Sequence, residues 1–237
     1  SKRRIHRPSL PPPASSAVNT SVRRTDISLP TTPLPSTGSN PRYTQTMNHT
    51  PQIKRAIQFA ARKHHGQMRK ETEPLPYVTH LFSVALLVAE DGAHDDVVTA
   101  ALLHDTIEDT DTTREEIVEK FNERVAVLVE SVSELKEKDG RTLNWKERKT
   151  AYLANLEKAS NDAILIAIAD KIDNIESKLE AFEKEGPALF VRWKQPKEEY
   201  LWYHGEALRI AKARFPDHPL TKRFSEVYAR ECVIFTG

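Results

Sequence analysis

The segment ALLHDTIEDT, residues 101–110, begins like the apolar middle of a buried helix and then changes character. Its leucines are followed by His104 and Asp105, and one turn later by Glu108 and Asp109. Residues four apart share a face of a helix, so His104 is expected beside Glu108 and Asp105 beside Asp109. Burying unpaired charge costs several kcal/mol, so a fold that buries these groups needs compensation, and a metal ion is one source of it.

Two other segments supply polar groups of the same kind. His80, at the start of the preceding helical segment, is the nearest separate imidazole. The run AILIAIAD, residues 163–170, is apolar on all sides and is therefore predicted to be buried up to its last residue, Asp170. Asn174 and Ser177 follow at spacings of four and three, so the three polar residues share one face of this helix.

Imidazole and carboxylate groups together suit a borderline divalent ion such as Mn²⁺, Fe²⁺, Co²⁺ or Zn²⁺. Two histidines and two aspartates would leave positions open for water and substrate, as a catalytic metal requires. The only cysteine, Cys232, is far from this region in sequence, which argues against a structural zinc site. The pattern favours a metal-dependent hydrolase, although a bare His-Asp pair is also common by chance.

The composition is that of a soluble globular protein, with 38% hydrophobic and 29% charged residues and a net charge of +1. No stretch approaches 18 consecutive apolar residues, so a membrane-spanning helix is not expected. One cysteine excludes an internal disulfide and fits a reducing compartment, so we expect a cytoplasmic protein.

The N-terminal stretch, residues 1–50, differs from the remainder of the chain. It is rich in Pro, Ser and Thr, and its basic residues are opposed by a single acid, Asp26. Such a segment cannot bury enough apolar surface to offset its ordering entropy, so we predict a disordered extension. A transit peptide, a tag, a linker and sequence upstream of a start at Met47 are alternative origins. Nucleic-acid binding by this basic stretch is disfavoured, because the basic residues are not interleaved with aromatic residues and the stretch has no signature of a nucleic-acid-binding fold.

From residue 51 to 237 the hydrophobic spacing is helical and strand-like alternation is absent. In the segment TTREEIVEKFN, residues 112–122, a threonine with a glutamate three residues later predicts a helix start. We expect one all-α domain of seven to ten helices. The expected helical segments are 53–61, 80–92, 95–109, 112–122, 123–135, 145–159, 161–180, 187–213 and 218–234.

Four blocks of this sequence, in order, resemble the hydrolase domain of the RelA/SpoT homologue superfamily, an HD-type metal-dependent phosphohydrolase. The family pattern H-x-G-Q-x-R-K matches His64–Lys70, and P-Y-x-x-H matches Pro76–His80. L-L-H-D-x-x-E-D-T matches Leu102–Thr110, and A-D-[KR]-x-x-N matches Ala169–Asn174. The resemblance covers about residues 50–215 and implies an HD-domain helical bundle. The superfamily's synthetase domain is not matched, so the chain resembles a stand-alone small alarmone hydrolase.

The resemblance implies a role for each matched residue. The implied metal ligands, with Mn²⁺ as the usual ion, are His80, His104, Asp105 and Asp170. Glu108 and Asp109 match the acidic pair that orients and deprotonates water. The implied substrate-binding residues are Arg69, Lys70, Asn174 and Ser177. Lys171 and a loop carrying Arg141, Lys146, Arg148 and Lys149 are further candidates for contact with an anionic nucleotide.

The implied reaction removes pyrophosphate from the 3′ position of ppGpp or pppGpp, the alarmones of the stringent response, and leaves GDP or GTP. Alternative hypotheses are an HD hydrolase acting on an adenosine-based alarmone, (pp)pApp, or on NADPH. A third is an antitoxin or immunity protein that acts against an alarmone-making toxin partner. A homo-oligomer is also a hypothesis.

Three features depart from the family pattern. The loop RKETEPLPY is about two residues longer than the common form, Asp173 stands where many relatives carry His or Tyr, and Glu176 stands where many carry Arg. Two acids near a polyphosphate pocket are expected to alter substrate choice or weaken binding.

Overall fold

The computed structural model describes residues 49–69, 74–192 and 195–236, and these ranges form ten α-helices and one small hairpin. The helices are α1 Pro51–Lys63, α2 Val78–Glu90, α3 Asp95–Leu103, α4 Thr106–Asp109, α5 Arg114–Lys120, α6 Glu123–Val132, α7 Trp145–Leu156, α8 Asn161–Glu185, α9 Lys197–Arg214 and α10 Pro219–Thr236. A 3₁₀ helix, Gly186–Arg192, follows α8. The prediction of an all-α helical bundle is confirmed.

Short polar side chains fix where many of the helices begin. Each accepts a hydrogen bond from a backbone N–H of the first turn, which otherwise has no partner within the helix. Such caps are made by Thr50 for α1, Thr113 for α5, Asn122 for α6, Asn144 for α7 and Ser160 for α8. The helix start predicted within residues 112–122 lies at Thr113, whose hydroxyl accepts from the Glu116 amide.

Helix α8 lies at the centre of the bundle and contacts α2, α3, α6, α9 and α10. The residues of its first half that are fully or almost fully buried are Ala163, Ile164, Ile166, Ala167, Ile168 and Ala169. Each buried isoleucine contributes roughly 1.5–3 kcal/mol of hydrophobic free energy. This burial holds Asp170, the residue that follows, at a fixed place inside the fold.

The helix expected over residues 95–109 is interrupted, and that part of the prediction was wrong. Helix α3 ends at Leu103, and Asp105 adopts φ −96° and ψ −2° before α4 begins at Thr106. The Thr106 hydroxyl donates to the Leu103 carbonyl at 2.6 Å and so satisfies an acceptor at the end of α3. The interruption sets His104 and Asp105 at a turn, which periodicity alone does not reveal.

A two-stranded antiparallel hairpin follows α6, although the sequence showed no strand-like alternation. Its strands, β1 Glu137–Lys138 and β2 Arg141–Thr142, are too short for alternation to be visible. Asp139 and Gly140 between them have φ of 52° and 73°, the positive values that a tight hairpin turn requires.

Other differences from the sequence reading are local. The helix expected over 123–135 ends earlier, at Val132, so Leu135 lies beyond the end of α6 and is exposed. The helix expected over 187–213 is divided, since α9 starts after Pro196. Proline disfavours helical geometry in the residue before it.

Among the described residues, none of the helices is long and apolar enough to cross a membrane. The predicted extension, residues 1–50, lies almost entirely outside the described ranges and stays a prediction.

Glu231 of α10 is a fully buried carboxylate in contact with two basic side chains. Its oxygens lie 2.6 Å from His204 Nδ1 and 3.4 Å from Lys178 Nζ, and none of its surface is exposed. Burial lowers the pKa of His204 to about 4, so this imidazole is neutral at pH 7 and donates its Nδ1–H to Glu231.

We expect Glu231→Ala to lower the free energy of unfolding by about 3–5 kcal/mol, because it removes one side of a buried charged contact. Urea unfolding followed by circular dichroism measures the change. Glu183→Ala is the control, since Glu183 of α8 pairs with Arg230 of α10 at an exposed position. Its substitution should lower the free energy of unfolding by at most about 1 kcal/mol. Equal losses in the two variants would contradict this assignment.

Candidate metal and active site

Three parts of the fold bring the candidate site together. His80 lies in the first turn of α2, His104 and Asp105 lie at the turn between α3 and α4, and Asp170 lies at the end of the buried half of α8. One ligand atom each from His80, His104 and Asp105 lie within 4.8 Å of one another. Asp170 Oδ1 lies 3.2 Å from His80 Nε2 and 3.7 Å from His104 Nε2. The four residues singled out as metal ligands therefore converge and form one metal-type cluster.

Hydrogen bonds determine which ring nitrogen of each imidazole faces this cluster. Nδ1 of His104 lies 2.8 Å from the Ala101 carbonyl, which can only accept, so Nδ1 carries the hydrogen. Nε2 of His104 is buried and, among the described residues, has no hydrogen-bond partner. Nδ1 of His80 lies 2.6 Å from Asp173 Oδ2 and donates to it. Both Nε2 atoms are thus directed at carboxylates, the orientation that a metal-binding histidine needs.

The charge around the two imidazoles also fits a cation. Burial lowers the pKa of His80 and His104, but neighbouring carboxylates, Asp170 and Asp173 at His80 and Asp105 and Asp170 at His104, raise it by more, so both pKa values lie above the usual value. The site therefore favours positive charge at the Nε2 atoms. Protons and a metal ion compete for the same nitrogen lone pairs, so this donor set fits a divalent ion.

Tyr77 fixes the orientation of Asp105 from the segment that precedes α2. Its hydroxyl donates to Asp105 Oδ2 at 2.5 Å, and its ring stacks on His64 with the centroids 5.1 Å apart. Burial, and then the charge of Asp105, raises the pKa of Tyr77 well above its usual value, so the hydroxyl keeps its proton. His64 makes a 2.6 Å hydrogen bond with Gln67, consistent with a structural role.

Glu108 and Asp109 line the same cavity as Asp105 and both face Lys136. Lys136 Nζ lies 3.0 Å from Asp109 Oδ1 and 3.9 Å from Glu108 Oε1. The amide of Glu134 donates to Glu108 Oε2 at 3.2 Å. Burial, and then the charge of Glu134, raises the pKa of Glu108 to about 7. A carboxylate that ionises near neutral pH is suited to accept a proton during a reaction.

Removing the charge of Glu134 is expected to shift the pH dependence of any reaction in which Glu108 is the base. The reaction needs ionised Glu108, so its rate is retained above the pKa of Glu108 and lost below it. Glu134→Gln lowers that pKa, and the acidic limb of the kcat profile should move down by on the order of one pH unit. Glu137→Gln, in the exposed strand β1, is the control and should leave the limb in place. An unshifted limb in Glu134→Gln would contradict this role of Glu108.

A cavity of about 380 Å³ extends from this cluster between α7, α8 and α9. Lys149, Lys171 and Lys178 line it together with Tyr203. Nζ of Lys149 and Nζ of Lys171 lie 4.5 Å and 5.1 Å from the centroid of the Tyr203 ring. The buried Tyr203 hydroxyl makes no hydrogen bond within the described part of the chain. Three ammonium groups beside a metal-type cluster suit a ligand that carries several negative charges.

The residues implied to contact substrate divide between this cavity and a second one of about 300 Å³. Asn174 lines the first and donates its side-chain amide to Asp170 Oδ1 at 2.5 Å. Arg69 and Ser177 line the second, where Arg69 Nη2 lies 3.0 Å from Ser177 Oγ. Lys70 lies outside the described residues.

The positions of the other basic residues were only partly predictable. Lys149 and Lys171 line the larger cavity, whereas Arg141 pairs with Glu147 and Lys146 pairs with Glu199 at exposed positions. Sequence reasoning missed the contacts of Tyr77, Lys136 and Tyr203 with this site. For Tyr77 a signal existed, since it belongs to the matched block P-Y-x-x-H, but Lys136 and Tyr203 carry no motif.

Glu176, the second acid that departs from the family pattern, is held by Arg223 of α10. The Arg223 Nε and Nη2 atoms lie 2.9 Å and 2.8 Å from the two oxygens of Glu176. Arg223 therefore compensates the charge of Glu176, and Asp173 is the departure that contacts the metal-type cluster.

The family model described as HD domain matches residues 56–192 of this chain. That range contains all four sequence blocks and every residue of the metal-type cluster.

Curated relatives carry the same activity in their names. A guanosine-3′,5′-bis(diphosphate) 3′-pyrophosphohydrolase of Aquifex aeolicus is 43% identical over 129 residues, which are 54% of this chain and 18% of that protein. A protein of the same name, MESH1 of Xenopus tropicalis, is 37% identical over 160 residues, which are 66% of this chain and 83% of the relative.

A solved structure gives the same similarity in three dimensions. It is described as a metazoan orthologue of SpoT that hydrolyses ppGpp and plays a role in starvation responses. It superimposes with a TM-score of 0.66 at 28% identity and covers 78% of this chain and 98% of that chain.

Proposed function

The chain belongs to the HD domain family, and we propose that it is a metal-dependent hydrolase that removes pyrophosphate from the 3′ position of ppGpp and pppGpp. One observation carries this proposal. Two buried imidazoles with fixed Nε2 orientation meet Asp105 beside Glu108, at one end of a cavity lined with lysines. The names of the relatives support the same reaction.

His80, His104, Asp105 and Asp170 would hold a divalent metal ion, since imidazole and carboxylate together suit Mn²⁺, Fe²⁺, Co²⁺ or Zn²⁺. Among these we propose Mn²⁺, the ion that the family resemblance implies. When bound, the ion supplies positive charge that lowers the pKa of water and offsets the charge of the phosphates. Ala101 and Asp173 keep the two imidazoles in the tautomer with Nε2 available. Tyr77 and Asn174 each donate a hydrogen bond to one of the aspartates and hold it in place.

Glu108 accepts the proton of the attacking water, since its pKa of about 7 matches that task. Asp109, held by Lys136, orients the water. The water oxygen forms a bond to the phosphorus next to the ribose, and the bond from that phosphorus to the 3′ oxygen breaks. The 3′ oxygen takes up a proton and leaves as the hydroxyl of GDP or GTP, and the other product is pyrophosphate.

The two cavities suit the two ends of such a nucleotide. Lys149, Lys171 and Lys178 line the larger cavity and offset the charge of phosphate groups there. Arg69 and Ser177 line the smaller cavity, where a guanidinium can stack on a base and a hydroxyl can bond to ribose. Asn174 contacts the nucleoside from the larger cavity, and Lys70, outside the described residues, remains a substrate-binding residue by resemblance alone.

Product analysis with a panel of substrates tests this function. The purified chain is incubated with ppGpp, pppApp and NADPH in the presence of Mn²⁺, and the products are separated by anion-exchange chromatography. Conversion of ppGpp to GDP and pyrophosphate is expected. Release of orthophosphate from ppGpp would contradict cleavage at the 3′ position, and activity on pppApp or NADPH alone would contradict the choice of a guanine alarmone.

Inactivity on all three substrates, with metal bound, would instead favour the hypothesis of an antitoxin that binds an alarmone-making toxin directly. In that case His104→Ala would still protect cells from the toxin. Loss of protection in His104→Ala would favour hydrolysis as the source of protection.

A further inference from the structure

One oxygen atom of Asp173 contacts two groups that belong to different parts of the candidate site. Oδ2 accepts from His80 Nδ1 at 2.6 Å, and the same oxygen lies 3.1 Å from Arg69 Nη1. The imidazole of His80 is 2% exposed and the side chain of Arg69 is 9% exposed, so water has little access to either contact. Asp173 therefore connects the Arg69 segment before α2 to the metal-type cluster through α8.

The contact with His80 determines how that imidazole faces the cluster. Only one ring nitrogen can donate in a neutral imidazole, and the bond to Asp173 assigns the hydrogen to Nδ1. Nε2, 3.2 Å from Asp170 Oδ1, is then the nitrogen whose lone pair faces the cluster. Mutation of a residue that accepts a hydrogen bond from the other ring nitrogen of a metal-binding histidine typically lowers metal affinity or activity 10–100-fold.

We propose that Asp173 is a positioning residue that orients His80 for the metal and anchors Arg69 of the nucleotide pocket on the same carboxylate. This inference rests on the proposed function, since it takes His80 as a metal ligand. Asp173 does not itself touch the substrate in this role. Its two contacts make the metal site and the nucleotide pocket share one support.

Two substitutions at position 173 separate the orienting hydrogen bond of Asp173 from its negative charge. Asparagine at position 173 removes the negative charge but keeps an oxygen that can accept from His80 Nδ1. Alanine removes both. If Asp173 acts by orienting His80, the asparagine variant should retain part of the metal affinity that the alanine variant loses.

The test is a titration of the metal-free full chain with Mn²⁺, with the free ion measured by electron paramagnetic resonance. We expect Asp173→Ala to raise the dissociation constant about 10–100-fold and Asp173→Asn to raise it by a clearly smaller factor. The melting temperature of each metal-free variant is measured alongside, so that a loss of folding is recognised separately.

Glu176→Gln is the matched control. It removes one negative charge from the same helix three residues further on, where Glu176 pairs with Arg223 instead of His80, and should leave the dissociation constant within about twofold of the wild type. An equal rise of the dissociation constant in Asp173→Ala and Asp173→Asn, with or without the same rise in Glu176→Gln, would mean that only the negative charge of Asp173 matters for Mn²⁺ binding. That result would overturn the proposal. An unchanged dissociation constant in folded Asp173→Ala would overturn it as well.

The wild-type chain distinguishes failure of the proposed function from failure of the proposed role of Asp173. A wild-type chain that binds no Mn²⁺ would overturn the proposed metal-dependent function, and this inference with it. A wild-type chain that binds Mn²⁺ and hydrolyses ppGpp, beside an unaffected Asp173→Ala, would overturn the inference alone.

Discussion

Replacing Asp105 by alanine is expected to reduce ppGpp hydrolysis to less than about one thousandth of the wild-type rate, because a site without this ligand cannot hold the ion that activates water. Asp105 Oδ2 lies 3.2 Å from His104 Nε2 and 3.6 Å from His80 Nε2, so Asp105, like Asp170, contacts both imidazoles. Pyrophosphate release measures the rate, and a Mn²⁺ titration measures the expected loss of metal affinity.

Asp111→Ala is the control for this change. Asp111 follows α4 in the same segment, but its side chain is 88% exposed and pairs with Lys63 on the surface. Its removal should leave the rate within about twofold, since exposed ion pairs contribute little. Near-normal hydrolysis by a folded Asp105→Ala protein would contradict the proposed metal site.

Replacing Glu108 by glutamine is expected to lower kcat about 10²–10⁴-fold while metal binding is retained. Glutamine has almost the same shape and can still accept the hydrogen bond of the Glu134 amide, but it cannot take a proton from water. Stopped reactions at saturating ppGpp give kcat, and the Mn²⁺ titration gives the affinity in parallel.

Glu115→Gln, at an exposed position in the first turn of α5, is the control and should keep the wild-type kcat. If Glu108→Gln keeps its kcat while Asp109→Asn loses it, the proton acceptor is Asp109, and the assignment from the raised pKa of Glu108 is wrong.

Much of the site could be predicted because the relevant signals are local in sequence. Four short blocks carry the residues that converge, and the apolar run ending at Asp170 is buried as expected. The start of α5 could be predicted because a threonine followed three residues later by a glutamate is a capping pattern, and Thr113 makes this cap.

The contacts between helices could not be predicted in the same way. Periodicity describes one helix at a time, so it does not show that Asp173 of α8 meets His80 and Arg69, or that Lys136 reaches back to the acidic pair. The turn at Asp105 was also missed, because the apolar spacing of residues 95–109 is the same whether or not the helix is interrupted there.

The most direct test of the central claim is pyrophosphate release from ppGpp by the purified chain as Mn²⁺ is added, beside a sample treated with a chelator. The site of His80, His104, Asp105 and Asp170 predicts release that rises to saturation with Mn²⁺ and stops with the chelator. Pyrophosphate release that continues in the presence of the chelator, or no release at saturating Mn²⁺, would contradict a metal-dependent alarmone hydrolase.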